Sequence, residues 1–208
     1  MKKNNIITTI IAIAGIGLIG ALVFFWGSGK KSDSSAAGNK EQENTSVNVP
    51  ASIARLLDKP APAFSLKDRN GTTFSSESLR GKKVVLFFNE GIMCYPACWN
   101  QVAYLGKDER LKMDDVVVLS VVVDPPEEWA KAVEKMPELS TATVLFDKDT
   151  SVSRAFGMLV TPSSMHYGRL PGHTYVVMDK EGIVRHVLDD PNMALHNDQL
   201  IVELQKLN

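Results

Sequence analysis

The chain has 208 residues, 44% of them hydrophobic, with 23 Lys and Arg against 24 Asp and Glu for a net charge of −1. That length holds one domain with a sizeable core plus an appendage. So neutral a balance, with no basic stripe and no interleaving of basic and aromatic residues, gives nucleic acid no electrostatic footing.

After a short tail of residues 1–5, the run Ile6 to Trp26 carries no charged side chain, with Lys2 and Lys3 before it and Lys30 and Lys31 after it. Roughly 20 apolar residues at about 1.5 Å rise each match a hydrocarbon core of about 30 Å. A cleaved signal peptide has an apolar region of only about 7–15 residues and a small-x-small site. Ser35-Ala36-Ala37 is a poor site of that kind, so residues 6–26 are read as an uncleaved transmembrane anchor. A short N-terminal tail belongs inside the cell, which places the rest of a single-pass protein outside the cytoplasm, where disulfides persist. Residues 27–49, mostly Ser, Lys, Asn, Glu, Gly and Ala, read as a flexible tether. Residues 50–208 read as the globular domain.

Within that domain, Ala63 to Leu66 and Thr72 to Phe74 flank Asp68-Arg69-Asn70-Gly71, a hairpin signal. Lys83 to Phe88 is short and rich in β-branched and aromatic residues, which predicts a central strand. Cys98 to about Leu105 suits a helix. Val116 to Val123 predicts a second strand, Glu127 to Met136 a helix with Trp129, Ala132, Val133 and Met136 on one face, and Thr143 to Phe146 a third strand. Ser151 to Met158 reads as a short helix, Thr174 to Met178 and Ile183 to Leu188 as a second hairpin, and Gln199 to Leu207 as a closing amphipathic helix. Strands alternating with helices, then a hairpin and a last helix, predict an α/β domain: a mixed sheet covered on both faces.

The two cysteines, Cys94 and Cys98, fall at the first strand-to-helix turn. There a thiol pair can close a disulfide or hold a soft metal between two thiolates, and a helix N-terminus lowers a thiol pKa. A disulfide closing so short a loop removes little chain entropy, so it is a poor staple and a better reversible couple. Cys94 is assigned as the attacking thiolate and Cys98 as the resolving one. Pro96, lacking an N–H, suits a first helical turn. Tyr95 and Trp99 are read as packing against the sheet or shaping a substrate surface, and Glu90 as a surface carboxylate in preference to a buried proton acceptor in thiol exchange.

Pro60-Ala61-Pro62-Ala63-Phe64-Ser65-Leu66 before a Gly hairpin, Phe87-Phe88 before the cysteines, and Thr174-Tyr175-Val176-Val177-Met178-Asp179-Lys180-Glu181-Gly182 carry a resemblance. Over about residues 58–207 the chain resembles a thioredoxin-fold redoxin, the group of alkyl hydroperoxide reductase/thiol-specific antioxidant proteins and membrane-anchored thiol–disulfide oxidoreductases. Glu90-Gly91-Ile92-Met93-Cys94, Cys98-Trp99 and Pro171-Gly172-His173-Thr174 look closest to a membrane-anchored redoxin subgroup. Three residues separate the cysteines, where thioredoxin-like reductases have two. The peroxiredoxin Pro-x-x-x-Thr-x-x-Cys pattern is absent: Gly91 and Tyr95 precede Cys98 at those positions, and Phe87 and Gly91 precede Cys94. The spacing is similar to that of Sco-type copper chaperones, which add a distal His.

The resemblance implies a thioredoxin-like fold and a membrane-tethered thiol–disulfide oxidoreductase acting through Cys94 and Cys98 without a cofactor. Peroxide reduction is one alternative. A copper chaperone is the other, with Cys94, Cys98 and His173 or His166 as ligands. The implied partners are protein thiols and disulfides or small peroxides. The fold also implies a cis-proline opposite the cysteines, assigned to Pro171 in preference to Pro162. His173 stands roughly where peroxiredoxins place an Arg, with Arg169 several residues too early. His186 and His196 are read as surface or core-edge residues.

Overall fold

A computed structural model describes residues 49–207. The tail, the proposed anchor and all but the end of the tether lie outside the described residues. Among the described residues no helix is long and apolar enough to cross a membrane.

Two short strands, β1 (Ser65–Lys67) and β2 (Thr73–Ser75), form the predicted hairpin. Asp68 turns it, its carboxyl oxygen accepting the N–H groups of Asn70 and Thr72 at 2.8 Å each. The main sheet has the order β5-β4-β3-β6-β7, built from β3 (Lys83–Phe88), β4 (Val116–Val122), β5 (Thr143–Phe146), β6 (Thr174–Met178) and β7 (Val184–Asp189). β3, β4 and β5 run parallel, while β6 and β7 run antiparallel to their neighbours. Each is within a residue or two of its sequence expectation, because a strand buried on both faces reads as a continuous apolar run.

The pleat sends alternate β3 residues to opposite cores. Val85 and Phe87 face helices α2 (Ala97–Lys107), α3 (Pro126–Lys135) and α5 (Asn197–Gln205) through Trp99, Trp129 and Leu200. Val84, Leu86 and Phe88 face α1 (Ala51–Ala54) and α4 (Ser151–Phe156) through Ile53 and Phe156. The domain is thus an α/β thioredoxin-like sandwich. Helix α1 escaped prediction because four residues carry no 3.6-residue periodicity, although Ile53 is fully buried.

Candidate redox centre

One end of the sheet's central strands collects the chemistry, for a topological reason. β3 and β6 are antiparallel with Phe88 opposite Thr174, so the residues that leave β3 meet the residue that enters β6. That residue is His173. Thr174 also pairs with Asp189 at the end of β7, which brings the segment from Asp190 to His196 to the same end.

The segment from Asn89 to Cys94 is fastened from below. Asn89 Oδ1 accepts the Gly91 N–H at 3.0 Å, and Asp124, just past β4, accepts the Ile92 N–H at 3.1 Å. Gly91 has φ +61°, and a Cβ there would overlap the Asp124 carboxyl group, so only glycine fits. The Trp99 indole N–H donates to the Gly91 carbonyl at 3.2 Å. Burial raises the Asp124 pKa to about 6.

Cys94 and Cys98 are joined as a disulfide with Cα atoms 5.3 Å apart, both buried. Cys94 lies before α2, yet its sulfur accepts the Cys98 N–H at 3.3 Å, so it sits over the open N-terminal turn of an 11-residue helix. Once reduced, that position favours the Cys94 thiolate. On the other side, the Met193 thioether sulfur lies 3.7 Å from the Cys94 sulfur.

His173 is fully buried, with its ring edge-on to Phe87 at a centroid distance of 4.7 Å. Its Nδ1 lies 3.5 Å from the Cys98 sulfur. Its Nε2 lies 2.8 Å from the Tyr175 hydroxyl and 3.3 Å from the Ala194 carbonyl. With the ring proton on Nε2, donated to the Ala194 carbonyl, the Nδ1 lone pair faces Cys98. Burial pulls the His173 pKa down to about 4, so the ring is neutral at pH 7. The neutral ring can therefore accept a hydrogen bond from the Cys98 thiol through Nδ1.

The structure gathers Cys94, Cys98 and His173, whose ligand atoms all lie within 4.8 Å of one another. It separates His166 from them: that ring binds Glu90, with Nδ1 3.1 Å from Oε2. Glu90 is not a surface group. It is fully buried, and its Oε1 accepts the N–H groups of Met165 at 2.6 Å and His166 at 3.0 Å. The expectation of a cis Pro171 also fails, since the cis bond among the described residues is Tyr95–Pro96. His173, two residues after Pro171, is the group that meets the cysteines. Trp99 packs in the core as expected, whereas Tyr95 is 69% exposed. Asp124, Tyr175 and Met193 were not foreseen, because residues 30 to 100 positions from a cysteine share no local pattern with it. Two thiols and an imidazole nitrogen fit a soft metal such as copper, with His173 rather than His166 as the nitrogen donor.

A dithiol at the C-terminal end of a central parallel strand, capped by a helix and faced by a histidine, defines a thiol-redox protein of the thioredoxin fold. The chain belongs to the AhpC/TSA family, whose pattern matches residues 57–187. It is 32% identical over 149 residues to peroxiredoxin Bcp of Escherichia coli K12, covering 68% of this chain and 90% of that protein. It is 30% identical over 188 residues to the chloroplastic peroxiredoxin Q of Populus jackii, covering 86% of this chain and 85% of that one. Among solved structures, MTB dsbF in its mixed oxidized and reduced forms superposes with a TM-score of 0.52 at 27% identity, covering 77% of this chain and 99% of that one.

Proposed function

We propose that the protein is a thiol peroxidase that reduces hydroperoxides through Cys94 and Cys98 and is recharged by an external dithiol. The observation that carries this is the placement of the two sulfurs: Cys94 over the start of α2, accepting the Cys98 N–H, and Cys98 beside the Nδ1 lone pair of His173. The peroxiredoxin relatives support it. The sequence reading put thiol–disulfide exchange first; family membership moves peroxide reduction ahead of it.

The cycle balances without a cofactor. The Cys94 thiolate attacks a peroxide oxygen, the O–O bond breaks, and an alcohol or water leaves with a proton from solvent. Cys94 becomes a sulfenic acid. His173 Nδ1 then takes the Cys98 proton, the Cys98 thiolate attacks the Cys94 sulfur, and hydroxide leaves, reclaiming that proton as water. The product is the disulfide seen here. A dithiol then restores both thiols by exchange.

The test is dimedone trapping after one equivalent of hydroperoxide. Cys98→Ser should hold the adduct on Cys94, Cys94→Ser should hold none, and the parent should consume hydroperoxide with matching dithiol oxidation. No adduct and no consumption would sink the peroxidase reading.

Thiol–disulfide exchange with a protein partner is the second reading. Met93 and Tyr95, 57% and 69% exposed, flank Cys94 and offer a partner an apolar surface beside the pair. Reduction of a protein disulfide by a protein that consumes no hydroperoxide would select it. We further propose that the enzyme works outside the cytoplasm, tethered by residues 6–26. The charge-free run and the spacer of residues 27–49 support this.

A further inference from the structure

We propose that the reduced cysteine pair also repairs an oxidised methionine of its own chain: Cys94 returns the sulfoxide of Met193 to the thioether. The Met193 sulfur lies 3.7 Å from the Cys94 sulfur, just outside the about 3–3.5 Å at which reacting atoms stand ready. Met193 is partly exposed, which gives oxidants in solvent access to it, while Cys94 is buried.

The backbone enforces that contact. Met193 has φ +53°, a left-handed conformation that a side-chain-bearing residue keeps only when its surroundings demand it. Asp190 makes the demand. Its carboxyl oxygens accept the N–H of Asn192 at 2.9 Å and of Ala194 at 2.6 Å, clamping the residues on either side. The clamp is itself tied down. The Asp190 N–H donates to the His173 carbonyl at 3.0 Å, and Gln101, three residues beyond Cys98 on α2, accepts the His196 N–H at 2.8 Å. One end of the loop is thus fastened to His173 and the other to the helix that bears Cys98. Packing alone does not require this, since a thioether can fill a gap from unstrained backbone.

The steps balance. A hydroperoxide oxidises the Met193 thioether to the sulfoxide and leaves as alcohol or water. Once a dithiol has opened the disulfide, the Cys94 thiolate attacks the sulfoxide sulfur. The methionine S–O bond breaks, and the oxygen passes to the Cys94 sulfur with one proton from solvent. Met193 is reduced by two electrons and Cys94 is oxidised to a sulfenic acid. The Cys98 thiol then displaces that oxygen as water and restores the disulfide. The start of α2, which favours the Cys94 thiolate, serves this attack too. The repair rests on the reading of Cys94 as nucleophile and Cys98 as resolving thiol. It does not depend on peroxide reduction at Cys94, because there the sulfoxide is the substrate. A sulfoxide is chiral at sulfur, and a clamped loop offers Cys94 one of the two epimers.

The experiment starts from the disulfide form, whose sulfurs are protected. Chloramine-T converts the methionines to sulfoxides, the oxidant is removed, dithiothreitol is added, and peptide mass spectrometry follows each methionine. No hydroperoxide is present, so failure of the peroxidase reading leaves the result intact. Met113 and Met165, both exposed, are the internal controls. One epimer, about half of the Met193 sulfoxide, should revert. Its rate should exceed that at Met113 and Met165 by about 100-fold or more, as expected for a positioned intramolecular attack. Cys94→Ser, with Cys98 capped as a mixed disulfide during oxidation, should leave Met193 as oxidised as the controls. Parent protein alkylated at both thiols before oxidation should do the same, and needs no substitution. Persistence of the Met193 sulfoxide in the parent, reversal no faster than at Met113, or reversal without free Cys94 would each overturn the repair. So would a Met193 that resists oxidation while Met113 and Met165 are converted.

Discussion

His173 Nδ1 lies 3.5 Å from the Cys98 sulfur while its Nε2 faces the Ala194 carbonyl, so the basic nitrogen is turned toward the resolving cysteine. His173→Ala should therefore slow closure of the disulfide by about 100-fold, a usual contribution of a positioned base, and let sulfenic acid accumulate on Cys94. The pH profile separates this from a structural loss. In the parent, closure should weaken only toward about pH 4, where His173 becomes protonated. In the variant, closure should rise with the titration of the free thiol near about pH 8.5. Parental closure kinetics in His173→Ala would remove the base assignment.

Two buried groups oppose each other in acid. His173 titrates near 4 in the fold against an ordinary value of 6.5, so as pH falls between those values the unfolded chain binds the extra proton and stability drops. Asp124 titrates near 6 against 3.8, so there the folded chain binds the proton and stability rises as pH falls. Each slope is at most about 1.4 kcal/mol per pH unit, and between about pH 6 and 4 they offset. Asp124→Asn should thus lose more stability than the parent over that window, and His173→Asn less. Denaturant midpoints at pH 6, 5 and 4 measure it; parallel curves for all three proteins would refute the pairing.

Glu90 joins the cysteine segment to the loop before β6 by accepting two backbone N–H groups, at Met165 and His166, and the Ser164 hydroxyl at 3.3 Å. Glu90→Ala leaves those donors unpaired and should cost about 1–3 kcal/mol or more, with faster amide exchange at Met165 and His166. Glu90→Gln, which keeps a carbonyl oxygen, should recover much of the loss. Unaltered exchange in Glu90→Ala would show that the loop is held by other contacts.

The tether makes a fractionation prediction. The full chain should pellet with membranes and resist carbonate extraction, whereas a chain of residues 50–208 should stay in the supernatant. After treatment with a membrane-impermeant reductant, the cysteine pair of the full chain in intact cells should react with a membrane-impermeant thiol reagent. A soluble full-length chain would end the anchoring proposal.

Much of the fold was legible in the sequence. Lys83 to Phe88 and Thr174 to Met178 were found to the residue because strands buried on both faces must be apolar throughout. The cysteine pair and the start of α2 were legible because reactive thiols, Pro96 and the strand before them are neighbours in the chain. Glu90 was misread. A carboxyl group is expected at the surface unless its partners are known, and these lie about 75 positions away.

The sequence by itself determined the layered sheet, the dithiol and the kind of chemistry two close cysteines can do, since each rests on local pattern. Only the tertiary structure chose His173 over His166, buried Glu90 and set Met193 against Cys94. Those outcomes follow from β3 pairing antiparallel to β6 and β6 to β7. A pairing register brings distant residues to one end of a sheet, and no property of those residues taken singly announces it.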